Sequence, residues 1–283
     1  MIEVIRPGPL ATVQDLGRPG HAHLGVPRSG AADERALRLA NRLVGNPEGA
    51  ACVEFTLGGA TLRFDSPAWI AVTGAPAFLR VDGRGSGAHA PCHVPAGAAV
   101  ELGTPPSGLR SYLAVRGGLM VGRVLGSRST DVLSGLGPAA LTSGDRLPVG
   151  GTEGLDDITV DLAPAPPLPA SPVLRILPGP RDDWFGPDAI TALTSTPYTV
   201  TPETNRVGIR LDGAPLARTR EGELSSEGMV TGAVQVPPSG LPIVFLADHP
   251  TTGGYPVIGV LASAEVPRAA QLRPGQTVRF RLN

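Results

Sequence analysis

The sequence predicts a mainly β fold in two domains, each closing short strands into a barrel and carrying a few short helices. Three observations carry that expectation. Gly (38) and Pro (31) among 283 residues are about double ordinary usage, and they punctuate short Val/Leu/Ile runs instead of forming tracts, as turns between many short strands do. Both residues are poor in helix interiors, which excludes an all-helical chain. Many short strands also leave edges exposed unless a sheet closes on itself, and no repeat of short fixed period suggests a solenoid or propeller.

The elements follow in order. Residues 2–13 read as a first strand turning at "RPGP", and Thr12 to Gly30 as a loop-rich segment. Ala32, Ala36, Leu37, Ala40, Leu43 and Val44 fall on one face of a helix at 31–44. Ser29 is its expected N-cap, Asp33 lies in its first turn, and "GN" at 45–46 stops it. From 51 to 150, runs such as "CVEFTL", "ATLRF" and "RSYLAV" alternate with turns. Residues 1–162 are the expected N-terminal barrel-like domain, and 163–172, "APAPPLPASP", an extended linker. Residues 173–283 are the second domain: a strand at "VLRILPGP", a short helix near 187–194 opened by Pro187, strands near 198–211, and a glycine-rich β region from 224 to "VRFRL".

Hydrophobic content of 41% is enough for packed cores, while charged content is 17% and net charge −1. This near-neutral balance gives no electrostatic case for nucleic acid or an anionic membrane. No apolar run is long enough to span a bilayer, and "MIEVIRPGPL" lacks the pattern of a signal peptide. Cys52 and Cys92 make no disulfide framework. A cytoplasmic protein with reduced thiols is expected. The chain contains no Lys; all 24 basic residues are Arg. It therefore cannot carry biotin, lipoate or pyridoxal phosphate on a lysine, nor complete a Walker A loop.

Candidate chemistry is narrow. His21-Ala-His23 and the group His89, Cys92, His93 match no zinc spacing, so no metal is expected. "VDGRGSG" does not open a helix as a dinucleotide site requires, and "SYLAVRGG" is not a nucleophile elbow. Four segments instead concentrate polar residues beside glycine: "TVQDLGR" (12–18), "GSRST" (126–130), "NRVGIRL" (205–211) and "SEGMVTGAVQVPPSGLP" (226–242), the last leading into "DHPTTGGY". They supply carboxylates (Asp15, Glu227, Asp248), amides (Gln14, Asn205, Gln235), guanidinium forks (Arg18, Arg128, Arg206) and Ser129. Singly, each segment is equally an ordinary turn whose side chains cap its own backbone. Together they suit a small polar ligand held by bidentate hydrogen bonds.

At these segments the chain resembles the biotin-dependent carboxyltransferase family of the 5-oxoprolinase C subunit, long labelled allophanate hydrolase subunit 2. The matching stretches are "TVQDLGRPG", "HLGVPRSGAADERALRLANRLVGN", "YLAVRGG", "LGSRST", "NRVGIRL", "SEGMVTGAVQVPPSGLPI" and "TTGGYPVIG". The resemblance implies two cyclophilin-like β-barrel domains and two partners, homologues of the A and B subunits of 5-oxoprolinase. With them, such proteins cleave 5-oxoproline to glutamate at the expense of ATP, which the complex uses. It also implies two alternatives: carboxyl transfer from another chain's carboxybiotin to urea or a related amide, or regulation without turnover beside a kinase inhibitor that resembles the B subunit. Asp248, Tyr255 and Glu227 become catalytic candidates. Asp248 is expected to accept from a ligand N–H, and Tyr255 to donate to a developing oxyanion. Gln14, Asp15, Arg18, Arg128, Ser129, Asn205, Arg206, Gln235, Thr251, Thr252, Gly253 and Gly254 become substrate-binding candidates. Two departures stand out. Pro250 replaces a usual Gln, and "GPAALTSGD" lacks an Arg expected near 138.

Overall fold

Two antiparallel sheets sharing one core open the fold in the computed structural model, which describes residues 1–165, 167–220, 222 and 224–283. Their strands are β1 (Ile2–Arg6), β2 (Leu10–Gln14), β3 (Cys52–Thr56), β4 (Ala60–Phe64), β5 (Ala68–Gly74), β6 (Leu79–Val81), β7 (Arg84–Ser86), β8 (Pro91–Val94), β9 (Ala99–Leu102), β10 (Arg110–Val115) and β11 (Arg146–Leu147). One sheet runs β11-β1-β4-β9-β6-β7 and the other β2-β3-β10-β5-β8. In this unit the two sheets fold over common apolar residues, among them Val4, Phe55, Leu62, Ile70 and Leu113.

Strand β10 shows how the second sheet is covered on both faces. All of its residues are buried, and alternate side chains point to opposite faces. Leu113 and Val115 join the inter-sheet core. Tyr112 and Ala114 lie on the other face, under the helix α1 (Glu34–Leu43). Ala36, Leu37, Ala40 and Leu43 of α1 supply the opposing apolar stripe, the spacing that the sequence showed. The cap differs from expectation. Asp33, not Ser29, is the N-cap, its carboxylate accepting from the Ala36 amide at 3.0 Å. Ser29 sits at φ 53 and gives its hydroxyl to the Thr130 carbonyl at 3.0 Å. Gly45 ends the helix at φ 69, where a Cβ would lie 2.2 Å from the Asp156 carbonyl oxygen.

A buried polar knot ties α1 to the sheet. Glu54, in the middle of β3, accepts from the Tyr112 hydroxyl at 2.7 Å and from the Ala32 amide at 3.0 Å. The Tyr112 oxygen in turn accepts from the Asp33 amide at 2.7 Å. Arg110 Nε lies 3.6 Å from the other Glu54 oxygen. Burial, followed by the Glu54 charge, pushes the Tyr112 pKa well up, so the phenol remains a donor.

The second unit comprises residues 168–283 with the short segments 19–28 and 132–134. It contains β12 (Val173–Pro178), α2 (Ala189–Ser195), β13 (Tyr198–Val200), β14 (Gly208–Asp212), β15 (Glu227–Gly228), β16 (Ala233–Gln235), β17 (Ile243–Phe245), β18 (Thr252–Gly253), β19 (Val257–Leu261), α3 (Val266–Ala269) and β20 (Thr277–Leu282). Seven of these strands close a barrel in the order β12-β19-β16-β17-β14-β13-β20. Closure is made by the parallel pair β12–β20, with Leu174 opposite Phe280. Leu174, Ile176, Val234, Val244, Ile258 and Phe280 fill it. The remaining pair, β15 and β18, forms a separate two-stranded ribbon. Within the expected linker 163–172, Pro166 lies outside the described residues; Pro169 accepts a bond from the Gln276 amide at 2.9 Å.

Tyr112→Phe removes the hydroxyl that joins Glu54 to the start of α1. It leaves a buried carboxylate oxygen and the Asp33 amide each short of a partner, so it should cost about 1–3 kcal/mol, measured as a lower urea midpoint with an unchanged m-value.

Candidate functional site

Polar side chains gather in two loop clusters, one in each unit. In the first unit the centre is Asp15, just beyond β2. Its Oδ1 accepts from the hydroxyls of Ser127 and Ser129, each at 2.6 Å, and from the Gly17 amide at 2.8 Å. Its Oδ2 accepts from the Arg128 amide at 2.7 Å. A carboxylate with four donors is satisfied, and it fixes the 127–129 loop to the end of β2. Arg18, fully buried, donates to the Ser129 carbonyl and, at 3.4 Å, to that of Val124; its Nη1 lies 4.0 Å from Asp131. Gln14 donates to the Thr130 carbonyl at 2.9 Å. Gln14, Asp15, Arg18 and Ser129 therefore face inward and hold a loop. Arg128, only half-buried, is the member of this group whose side chain reaches the surface.

That loop begins with a tight hairpin. Val124 and Ser127 exchange backbone hydrogen bonds at 2.8 and 3.2 Å, and Leu125 and Gly126 between them take φ 51 and 82. Two successive positive φ values define the mirror-image turn that favours Gly at its second position.

In the second unit, Arg206 and Asp248 form a forked pair, Nε to Oδ2 and Nη2 to Oδ1, both 2.9 Å. Both side chains are almost wholly buried. The Val132 amide donates to Asp248 Oδ2 at 3.0 Å, and the Asp248 amide donates to the Arg206 carbonyl at 3.1 Å. With no exposed surface and each oxygen engaged, Asp248 braces the loop after β17 in this arrangement and does not face a ligand. Asn205 makes a local turn, accepting from the Val207 amide at 2.8 Å.

The ribbon beyond that brace carries the remaining candidates. Glu227 lies opposite Gly253 in the β15–β18 pair. Its carboxylate is forked onto Arg181, with Arg181 Nε at 3.0 Å from Oε2 and Nη2 on Oε1, and this hydrogen-bonded cation lowers its pKa. Gln235 supports the far end, donating to the Tyr255 carbonyl at 3.1 Å. A Cβ on Gly253 would come within 2.8 Å of that Gln235 amide nitrogen, the end of a flexible side chain that would have to shift. Gly254 accepts from the Leu224 amide at 3.3 Å. Thr252 and Tyr255 are exposed, and Thr251 is half-buried. This ribbon can present hydroxyl groups and a phenol to a ligand.

Sequence reasoning did not single out Ser127, Arg181 or Met120. Ser127 stands within the quoted "GSRST" loop and was recoverable from it. Nothing local marks Arg181, which meets Glu227 only through the fold. Of the histidines, His89 is buried at φ 60, and burial lowers its pKa. No group of three or more His, Cys, Asp or Glu among the described residues is arranged to hold a metal, and no described helix is long and apolar enough to cross a membrane.

Comparison with known proteins places this architecture. The family model described as "Carboxyltransferase domain, subdomain A and B" matches residues 24–282. The chain belongs to this family. Among carboxyltransferase-domain proteins it is 40% identical to the 5-oxoprolinase C subunit of Escherichia coli K12, across 99% of this chain and 90% of that one. The crystal structure of TTHA0988 superimposes with a TM-score of 0.89 at 37% identity, covering 99% of this chain. This chain spans only about half (55%) of that solved chain. Kluyveromyces lactis urea amidolyase matches with a TM-score of 0.90 at 30% identity, through 18% of its length.

Two outcomes follow from the site geometry. Asp248→Asn removes the carboxylate charge that meets the buried Arg206 fork and should destabilise the protein by about 3–5 kcal/mol, read by chemical denaturation. The Arg181–Glu227 pair is sensitive to acid. Because the folded Glu227 pKa lies below its unfolded value, the pair stabilises fully above the usual carboxylate pKa of about 4.3, and that contribution is lost as pH falls through the folded value. The Tm difference between wild type and Glu227→Gln should therefore be present at neutral pH and shrink on acidification.

Proposed function

We propose that this chain is the C subunit of an ATP-dependent 5-oxoprolinase, a cytoplasmic complex with homologues of the A and B subunits that opens 5-oxoproline to glutamate. The observation that carries the reading is the end-to-end match to the Escherichia coli protein of that name, which spans both units and both polar clusters. In the reaction, water adds to the ring carbonyl, the ring C–N bond breaks, and the nitrogen leaves as an amine after taking a proton. ATP drives this by phosphorylating the carbonyl oxygen, with ADP leaving; addition of that water and loss of the ring nitrogen then give an acyl phosphate, from which a second water releases phosphate. With no Lys in the chain, nucleotide binding through a Walker A loop falls to another protein of the complex.

Roles for this chain's residues follow from what each can reach. Thr251, Thr252, Gly253 and Gly254 offer a polar edge to the substrate, and Tyr255, exposed beside them, is the candidate donor to the developing oxyanion. Glu227, ionised by Arg181, is the carboxylate available at the ribbon. Asp248 with Arg206 serves as an internal brace of the same unit, and Asp15 with Ser129 braces the 127–129 loop of the first.

A second reading has its own support. The urea amidolyase match fits a carboxyltransferase that moves a carboxyl group from carboxybiotin, carried on another chain, to urea or a related amide.

Co-expression with the two homologous partner proteins, followed by assays for glutamate and ADP from 5-oxoproline, separates the two readings. Glutamate that appears only with ATP and all three chains is the expected result. A stably assembled complex that leaves 5-oxoproline intact but consumes carboxybiotin in the presence of urea would replace it with the second reading.

A further inference from the structure

Three guanidinium groups in the candidate clusters can be compared along the same edge, the one formed by Nε–H and Nη2–H. In Arg206 this edge is filled by Asp248, with both bonds at 2.9 Å. In Arg181 it is filled by Glu227. In Arg128 it is not. Among the described residues the buried Arg128 Nε has no hydrogen-bond partner, and Nη2 meets the Met120 sulfur at 3.4 Å. A thioether is a weak acceptor, and leaving a buried charged donor without an acceptor is costly. Asp15 cannot complete the edge, because it is already committed to the Arg128 amide, the Gly17 amide and two serine hydroxyls.

The surroundings favour an anion from outside the chain. Met120 is half-exposed, on an unbranched and flexible side chain that moves easily. Arg123 adds a second positive charge close enough to depress the Arg128 pKa, an effect secondary to burial. The Arg128 backbone is pinned by Asp15 and by the hairpin at 124–127, so the fork is held in place before any ligand arrives.

We infer that the Nε–Nη2 edge of Arg128 is a receptor for a carboxylate, which takes both donors when the Met120 thioether moves aside. This rests on the proposed function and deepens it: the carboxylate is that of the lactam acid. A phosphate oxyanion shares this chemistry and is the other possible source. The two are distinguished by geometry and charge, since a planar carboxylate matches the fork.

The test is an NMR titration of the full chain. It follows the Arg128 Nε–Hε signal, identified by its loss in Arg128→Lys, together with the Leu125 and Gly126 amides. The probes are 5-oxoproline, 2-pyrrolidinone (the same lactam without its carboxylate) and inorganic phosphate. The expected result is a saturable shift with 5-oxoproline and none with 2-pyrrolidinone. Affinity should weaken about tenfold or more in Arg128→Lys, which keeps the charge but loses the fork. Met120→Ala should bind at least as well as wild type. Absence of any shift, a response to 2-pyrrolidinone equal to that of 5-oxoproline, equal affinity in Arg128→Lys, or a response to phosphate alone would overturn the assignment. The inference and the proposed function fail separately. A three-chain complex that turns over 5-oxoproline with KM unchanged by Arg128→Lys removes the inference alone. Carboxylate binding through Arg128 beside an inactive complex removes the proposed function alone.

Discussion

A guanidinium taken out of water must have its charge compensated where it sits, because it cannot shed its proton as a buried lysine can. This chain has only arginines for cations, and Arg18, Arg110 and Arg206 are among its largest fully buried side chains. Much of the polar architecture answers that requirement. Glu54 accompanies Arg110 and also anchors the Ala32 amide and the Tyr112 hydroxyl. Asp248 accompanies Arg206 and also takes the Val132 amide. Arg18 is set against loop carbonyls and Asp131. Each buried cation thereby fixes a segment remote in sequence, at the expense of a carboxylate that could otherwise have met a ligand.

That commitment divides the polar residues by function. Those saturated inside the fold set positions: Asp15 orders 127–129, and Gln235 supports the backbone at Tyr255. Others reach the surface: Arg128 in the first unit, and Asn205, Glu227, Thr251, Thr252 and Tyr255 in the second. A reactive surface resting on locked internal bonds costs little reorganisation when a ligand arrives. Pro250 fits this division, because its carbonyl meets the His249 ring at 2.7 Å while its missing N–H withdraws a donor from the ribbon's approach.

The strand runs, the α1 stripe and the stop at Gly45 were legible because they depend on local periodicity and backbone sterics. The α1 cap was less so. Ser29 and Asp33 are both good caps, and only the Thr130 carbonyl, far along the chain, takes Ser29 away from that role. The sequence marked Asp15, Arg128, Arg206 and Asp248 as chemistry-bearing, but their chemistry could not be apportioned from it. Whether Asp248 faces a ligand or an arginine depends on a neighbour 42 residues away. Glu54 carried a readable signal, a lone carboxylate in the apolar run "CVEFTL". Such a residue must find partners inside, and which partners it finds is a tertiary fact.

The parallel pairing of β12 with β20 has a consequence for biosynthesis. β20 lies between β12 and β13, bonded to both, and it is the last strand of the barrel to leave the ribosome. Until it emerges, two sheet edges stand open together, the arrangement most prone to pairing with other chains. The first unit contains β1–β11, so its sheets can form while translation continues. The barrel cannot close until β20 arrives, and a nascent chain stalled short of Thr277 would be a natural client for chaperones.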